Sequence, residues 1–262
     1  MPKKLYPSYH SKESYRWLQN LQHATDLLGD PSRCVHIGDR ESDIYELFCA
    51  AQQAETHFLV RTCVDRLAES GDTTIAQEMD SAEKGIHVVE LTEHQGKAFK
   101  AELEVRFRRM TVRPPIGKEK QYPSLSLTVI HAREINSPKY REPIEWKLLT
   151  DLPVTCLREA TEKLDWYSLR WKIEMFHKIL KSGCRAEDAK LRTAQRLTNL
   201  LAIYCIVSWR VFWLCMINRT APDAPATVVF TDTEIQLLDH VDPKPPPRAI
   251  QELLYICPMK GE

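Results

Sequence analysis

Cys34-Val35-His36-Ile37-Gly38-Asp39-Arg40 is the segment from which the fold is read. Its first four residues are apolar and β-branched enough to form a short buried strand. Gly38-Asp39 then stops that strand. A carboxylate just past the C-terminal end of a buried strand stands where open α/β sheets place their sites. Asp39 equally suits the N-cap of a following helix, and both readings stand. Upstream, Ser14 to Leu28 reads as an amphipathic helix with Trp17, Leu21, Ala24, Leu27 and Leu28 on one side, stopped by Gly29-Asp30-Pro31. Downstream, Ser42 to Ala54 reads as a helix through Ile44, Leu47, Phe48 and Ala51, and His57 to Cys63 as a second strand. Glu41 and Asp43 are expected to be surface or first-turn charges. Helix–strand–helix–strand over residues 11–63 is an α/β pattern with parallel pairing expected.

Composition narrows the function classes. The chain has 262 residues, 43% of them hydrophobic, which allows one large domain or a domain with an insertion. Its formal net charge is zero, which argues against non-specific nucleic-acid binding by bulk charge, so any such contact needs local basic clusters. The eight cysteines form no C-x-x-C pair, which argues against zinc and reads as reduced cytoplasmic thiols, mostly small core residues. Met1-Pro2-Lys3-Lys4 is not followed by an apolar stretch, so no secretory signal is read. The one membrane-like run, Leu200 to Ile217, contains Ser208 and Arg210 and is expected to be a buried core helix.

After residue 64 the pattern changes. Ile86–Leu91, Ala101–Phe107, Leu125–Ala132 and Trp146–Thr150 read as strands, separated by turn signals at Gly96-Lys97, Pro114-Pro115 and Ser137-Pro138. This is an antiparallel block inserted into the α/β part. Two long helices are expected, from about Ala160 to Gly183 and from about Ala189 to Asn218, followed by proline-rich links at Ala221–Ala226 and Pro243–Pro247. Arg106, Arg108, Arg109 and Arg113 form a basic cluster in the inserted block, readable as a nucleic-acid contact or as a solvated strand face.

The first long helix carries the second half of the chemistry. In Tyr167-Ser-Leu-Arg170-Trp171-Lys-Ile-Glu174-Met-Phe-His177-Lys178-Ile-Leu-Lys181, helical spacing puts Leu169, Ile173, Phe176 and Leu180 on one stripe facing the core. Tyr167, Arg170, Trp171, Glu174, Lys178 and Lys181 fall on the opposite side. A carboxylate can hold a divalent metal, the cations can hold phosphates, and the rings can stack on bases. The same face also reads as a solvated one in which Glu174 pairs with Lys178 at i, i+4.

The spacing Tyr167-x2-Arg170-x3-Glu174-x6-Lys181 resembles the Y-R-E-K signature of DDE transposases of the bacterial insertion-sequence-4 family, most closely its transposon-5-like group. Trp171 and Phe176-His177-Lys178 are similar too. His36 to Tyr45 resembles the segment of the family's second catalytic aspartate. Phe58-Leu-Val-Arg61 resembles the strand bearing a DNA-contacting arginine, and Trp146-Lys-Leu-Leu-Thr150 the strand whose tryptophan stacks on a flipped base. The resemblance spans about residues 11–240 and implies an α/β fold with a ribonuclease-H-like core, an inserted antiparallel β subdomain and long C-terminal helices. The implied divisions are 11–64 and 153–219 for the core, 65–152 for the insertion, and 220–262 for the start of a dimerisation region. It implies two divalent metals, magnesium with manganese as a substitute, and cut-and-paste DNA transposition by phosphodiester hydrolysis and strand transfer. Asp39 and Glu174 become the second and third catalytic, metal-binding carboxylates. Tyr167, Arg170 and Lys181 would hold phosphates, Lys178 and Arg61 would contact the DNA backbone, and Trp146 would stack on a flipped base with Trp171 beside it. The implied partners are double-stranded DNA at transposon ends and a second copy or a full-length transposase, with no membrane, in the bacterial cytoplasm at the nucleoid.

The sequence departs from that pattern at both ends. A first aspartate is expected on a strand well upstream of Asp39, but the 38 residues before Asp39 hold only Asp26 and Asp30, one late in a helix and one in its stop. The core is therefore expected to be incomplete, with its first strands missing. Ala249 to Ile256 resembles the start of the dimerisation region, which is expected to be truncated. The chain is expected to be inactive or nearly so by itself. The alternative is a non-catalytic DNA- or transposase-binding remnant that inhibits transposition. An unrelated metal-dependent nuclease with the same core is a third reading, against which the Y-R-E-K spacing argues.

Overall fold

The computed structural model describes residues 14–69, 71–92, 98–139 and 141–241. Gly96-Lys97, Pro243–Pro247, Ala249–Ile256 and Cys257 lie outside the described residues. Backbone contacts divide the chain into two compact units, Met1–Arg170 and Trp171–Glu262.

The first unit is built on one mixed, mostly antiparallel sheet. Strands β1 (Val35–Gly38) and β2 (His57–Arg61) are parallel, with Val35 opposite His57 and Gly38 opposite Val60. Helix α2 (Tyr45–Gln53) crosses between them. Strands β5 (Glu83–Thr92), β6 (Ala98–Val112), β7 (Leu125–Glu134) and β8 (Glu145–Thr150) are antiparallel to their neighbours. The short pair β3 (Leu67–Ala68) and β4 (Thr73–Thr74) completes the order β1-β2-β8-β7-β6-β3-β4, with β5 also on β6. The expected strands are all present, and the parallel pair is as read. Residues 65–152 do not stand apart from the α/β segment, because β8 pairs with β2 and joins both into a single sheet.

Side-chain alternation assigns each face its cover. Phe58 and Val60 point to one face with Met110, Val112, Leu127, Val129 and Leu149. Helices α1 (Ser14–Leu28), α2 and α3 (Ile75–Asp80) pack there, and Phe48 stacks on Phe58 at 4.6 Å. Leu59 points the other way, with Leu103, Val105, Ile130 and Leu148, under Ala160, Leu164 and Tyr167 of α4 (Leu157–Ser168). Period-two alternation with a buried residue on both sides is what a covered sheet requires. In α1 the packed stripe is Trp17, Leu18, Leu21 and Thr25, while Leu27 and Leu28 are exposed. Thr25 tolerates burial because its hydroxyl donates to the Leu21 carbonyl at 2.7 Å. Gly29, at φ +73°, ends the helix in the left-handed conformation that glycine adopts without a Cβ clash.

In the second unit, α5 (Trp171–Lys178) runs into a π-helical turn at Ile179–Gly183, and α6 (Ala194–Thr220) and α7 (Asp232–Val241) follow. Two expectations change here. Residues 160–183 are not one helix: α4 ends at Ser168, whose hydroxyl donates back to the Asp165 carbonyl at 2.7 Å. The Leu169 and Arg170 amides then bond three residues back, to Trp166 and Tyr167, which tightens and closes the helix. Leu169 and Ile173 are consequently exposed rather than core-facing. The run Leu200–Ile217 is also not a buried core helix, since within α6 only Ser208 and Phe212 are buried and Ile203, Ile206, Val207 and Trp209 are exposed. By length and composition α6 could cross a membrane. Its Arg210 is engaged within the unit by Glu234 at 2.8 Å and the Val229 carbonyl at 3.1 Å. Of the thiols, Cys34 and Cys49 are buried whereas Cys63 and Cys205 are exposed, so core packing accounts for only some of them.

His36 gives a pH test of the β1–β2 edge. Thr56 donates its hydroxyl to the Cys34 carbonyl at 3.2 Å, so it accepts from His36 Nε2–H at 3.1 Å. Burial lowers the His36 pKa below its ordinary 6.5. The unfolded chain thus takes up a proton near pH 6.5 that the folded chain refuses. Its stability contribution is full above that pH and is lost as pH falls through the folded value. Urea midpoints should drop as pH falls below 6.5, and His36→Gln should flatten part of that slope; an undiminished slope in the variant would place the proton uptake elsewhere.

Candidate active site and nucleic-acid interface

Asp39 sits at the carboxyl end of β1, where the chain turns back on itself. Its backbone is extended, and its Oδ1 accepts the Glu41 amide at 3.0 Å, capping the short 3₁₀ turn Arg40–Ser42. Ser42 closes the turn by donating its hydroxyl to the Asp39 carbonyl at 2.7 Å. A Cβ on Gly38 would stand 2.0 Å from Ser42 Oγ, so glycine is needed for the turn to fold onto the strand end. The capping reading of Asp39 is therefore met, while about a third of the side chain, 37%, stays exposed.

Four of the residues singled out in the sequence gather in the first unit. Asp39 Oδ2 lies 3.6 Å from Arg170 Nη1. The Arg170 guanidinium lies 6.0 Å from the Tyr167 ring centroid, and the Tyr167 ring meets Trp146 edge-on at 5.5 Å. Carboxylate, guanidinium, phenol and indole thus form a contact chain from β1 through the end of α4 to β8. Tyr167 is 4% exposed, so it belongs to the core under Trp146 and not to the solvent face expected of it. Arg61 closes β2, and its Nη2 donates to the Glu145 carbonyl at 2.8 Å, next to Trp146.

Trp171, Glu174, Lys178 and Lys181 belong to the second unit. The expected single face running from Tyr167 to Lys181 is therefore divided by the helix break. Trp171 is 38% exposed, with the Arg219 guanidinium over its ring at 5.5 Å. Lys181 lies in the π turn and pairs with Glu187 at 3.3 Å. Glu174 and Lys178 are exposed on α5.

Asp43 was expected on the surface and is a buried anchor. Its side chain is 1% exposed and forms an ion pair at 2.6 Å with Arg66, itself 6% exposed. Asp43 Oδ2 also accepts from Thr62 Oγ1 at 2.8 Å and from the Cys63 and Val64 amides at 2.9 and 3.2 Å. Arg66 further donates to the Asp43 carbonyl at 3.1 Å and to Thr62 Oγ1 at 3.0 Å, so the segment after Arg61 is held as one polar knot. No pattern in the sequence couples positions 43 and 66, which meet only through the fold. The arginine cluster is likewise structural in large part. Arg106 donates to the carbonyls of Met79 and Asp80, and Arg108 to that of Glu78, at the C-terminal end of α3 where cations are favoured. Arg109 holds Ser126 and the Asp151 carbonyl.

A cleft of about 630 Å³ opens between the segment 62–65, α3 and the strands β6 to β8. Arg40 and Arg61 stand in its wall. Among the described residues, no three His, Cys, Asp or Glu side chains come together as a metal cluster. Asp26 lies on α1 and accepts from Gln22, and Asp30 follows that helix and accepts from Ser32, so neither is at a strand end. Asp39 has the hard oxygen donors that magnesium takes, but one carboxylate does not complete such a site.

A mixed sheet thus carries a carboxylate at the end of its parallel strand, beside a guanidinium and two rings. The family model described as the transposase DDE domain matches residues 3–210, and the chain belongs to that family. Such domains are generally dependent on divalent metals and act on DNA at transposon ends.

The polar knot is testable by itself. Asp43→Ala leaves the Arg66 charge buried without its partner and should cost about 3–5 kcal/mol in urea denaturation. A loss below about 1 kcal/mol would show that Arg66 finds water or another acceptor.

Proposed function

We propose that this chain is a cut-and-paste transposase of the insertion-sequence-4, transposon-5-like kind, with a ribonuclease-H-like core, acting on double-stranded DNA at the ends of a mobile element. The observation that carries the reading is the contact chain Asp39–Arg170–Tyr167–Trp146, which unites three separate sequence motifs in one unit. Asp39 and Glu174 are the residues that would hold magnesium or manganese. When bound, the metal supplies positive charge at phosphorus and lowers the pKa of its water.

The chain's own groups do the rest. Arg170 offers planar donors to a phosphate beside Asp39. Tyr167 buttresses Arg170 and Trp146 from the core. Trp146 and Trp171 offer ring surface to an unstacked base. Arg61, Lys178 and Lys181 hold backbone phosphates. The reaction would be phosphodiester hydrolysis followed by strand transfer, in the bacterial cytoplasm at the nucleoid, with a second copy or a full-length transposase as partner.

Two of the family's three carboxylates are assigned here, Asp39 and Glu174, and with two the cleavage is weak or nil. That shortfall favours a second reading, a DNA- or transposase-binding protein that lowers transposition through mixed dimers.

The test is nicking of a duplex carrying the flanks of the protein's own gene, with magnesium or manganese. Weak nicking that chelator abolishes and that Asp39→Asn and Glu174→Gln each remove supports the enzyme. Nicking that survives both replacements sinks the assignment of the two carboxylates. No nicking, with DNA binding kept and an intact transposase inhibited, supports the second reading.

A further inference from the structure

Strand β5 forms an edge of the sheet. Among the described residues it pairs with β6 and with no other strand. The Ile135 amide donates to the Glu102 carbonyl at 2.8 Å, so the Glu102 backbone groups are turned toward β7. Direction alternates along an antiparallel strand. Leu103 and Val105 therefore turn toward β5, where they stand opposite His87 and Gly85. In β5 the odd positions bond to β6, and Lys84, Ile86 and Val88 direct their N–H and C=O groups to the open edge.

The two faces of β5 differ in cover. Val89 joins the core under α4, and His87 Nε2 lies 3.4 Å from Asp165 of that helix. A Cβ on Gly85 would stand 2.3 Å from Leu157, so α4 packs directly on that position. On the other face Ile86 and Val88 are 54% and 49% exposed. Their opposite residues on β6 are Glu104 and Glu102, which offer them no apolar neighbour across the strands. Folded proteins blunt long edges with proline, bulges or charge. The ten residues of β5 contain no proline, its register with β6 runs unbroken from Glu83 to Thr92, and its middle outward positions are isoleucine and valine.

The strand itself selects what covers it. With a second copy laid antiparallel along the edge, a two-fold axis at His87 brings Ile86 opposite the partner's Val88, and Val88 opposite the partner's Ile86. The same axis brings position 84 opposite position 90, a lysine and a glutamate in the sequence. These are even positions, whose backbone groups face the open edge, as a ladder requires. Moving the axis to Ile86 leaves Lys84 opposite the partner's Val88 and loses the charge match. Apolar and opposite-charge pairs directly across two strands are stabilising, and a two-fold axis makes each such pair occur twice.

We infer that two copies of this chain join antiparallel through β5, continuing the sheet across a two-fold axis at His87. This surface is separate from residues 220–262, and the inference stands without the transposase reading.

The experiment is sedimentation velocity of the full chain without DNA, over a concentration series, on the parent and four variants. Lys84→Glu and Glu90→Lys each set like charges opposite one another at two symmetric places, and each should weaken the dimer about tenfold. Lys84→Glu/Glu90→Lys exchanges the charges and should restore the parent's dissociation constant. Ile86→Lys/Val88→Lys should leave a monomer. Thermal unfolding checks each variant, and Lys84→Glu, at a side chain 65% exposed, decides alone should the others unfold. A parent that stays monomeric overturns the inference. So does a dimer that every folded variant keeps, since another surface then holds it. A folded exchange variant that stays as weak as its single parents also overturns it, because positions 84 and 90 then do not meet.

Discussion

The pairing of β2 with β8 is the constraint from which the arrangement of the first unit follows. Leu59 stands opposite Thr150 and Arg61 opposite Leu148, residues separated by nearly ninety positions in the chain. The junction is reinforced by polar contacts at both ends. Thr150 donates its hydroxyl to the Phe58 carbonyl at 2.6 Å, and Asp151 takes His57 at 2.6 Å and the Phe58 amide at 3.0 Å. The Thr62 amide donates to the Lys147 carbonyl at 2.8 Å. Closing so long a loop costs entropy that grows only slowly with length, and two faces of buried side chains offset it. Leu149 enters the core with Phe48 and Phe58, and Leu148 the one with Leu164 and Tyr167. Without this junction Trp146 would not reach Tyr167, nor Arg61 reach Glu145.

Polar groups then refine what apolar packing builds. A buried ion pair such as Asp43–Arg66 adds little net stability over a well-packed apolar pair, because desolvation consumes most of the attraction. Its effect here is positional. The hydrogen bonds that Asp43 Oδ2 accepts come from the segment 62–64, which sets how the chain leaves Arg61. Gly38 and Ser42 do the same on the other strand, fixing where the Asp39 carboxylate emerges. Two adjacent parallel strands thus end in rigid turns, and both turns feed the edge of one cleft.

Much of this was legible in the sequence because it is local. The first helix runs over Ser14–Leu28 as read, and the strands at 35–38, 57–61, 125–134 and 145–150 follow from β-branched runs between turn residues. What was not legible depends on partners distant in the chain. Helical spacing alone carries Leu169, Ile173 and Phe176 on a single stripe, but Ser168 and two amides bonded three residues back end the helix there. Hydropathy sends α6 to a core, although only Ser208 and Phe212 of it are buried and Ile203, Ile206, Val207 and Trp209 are exposed. Asp43 looks like a first-turn charge until Arg66 is brought to it, and Arg106 and Arg108 look like a nucleic-acid patch until α3 presents its carbonyls. In each case the local signal was correct in kind, and a tertiary partner decided its use.

The zero net charge of the chain at first argues against a nucleic-acid partner. Screening answers that argument, since at physiological salt charges further apart than about 8 Å scarcely sense each other. What a phosphate meets is then the local balance, and the fold makes it uneven. Carboxylates are drawn inward to tie structure together, as Asp43 ties Arg66, Glu134 ties Arg141, and Asp151 ties His57. Arg61, by contrast, spends its guanidinium on the Glu145 carbonyl, not on a carboxylate. Asp39 is the counter-example that fits the same logic: its carboxylate stays partly exposed, with Arg170 as a cation 3.6 Å away. A further cation brought to Asp39 is repelled by that guanidinium unless an anion arrives as well. In the proposed reading a phosphate and a cation would therefore favour each other's binding beside Asp39.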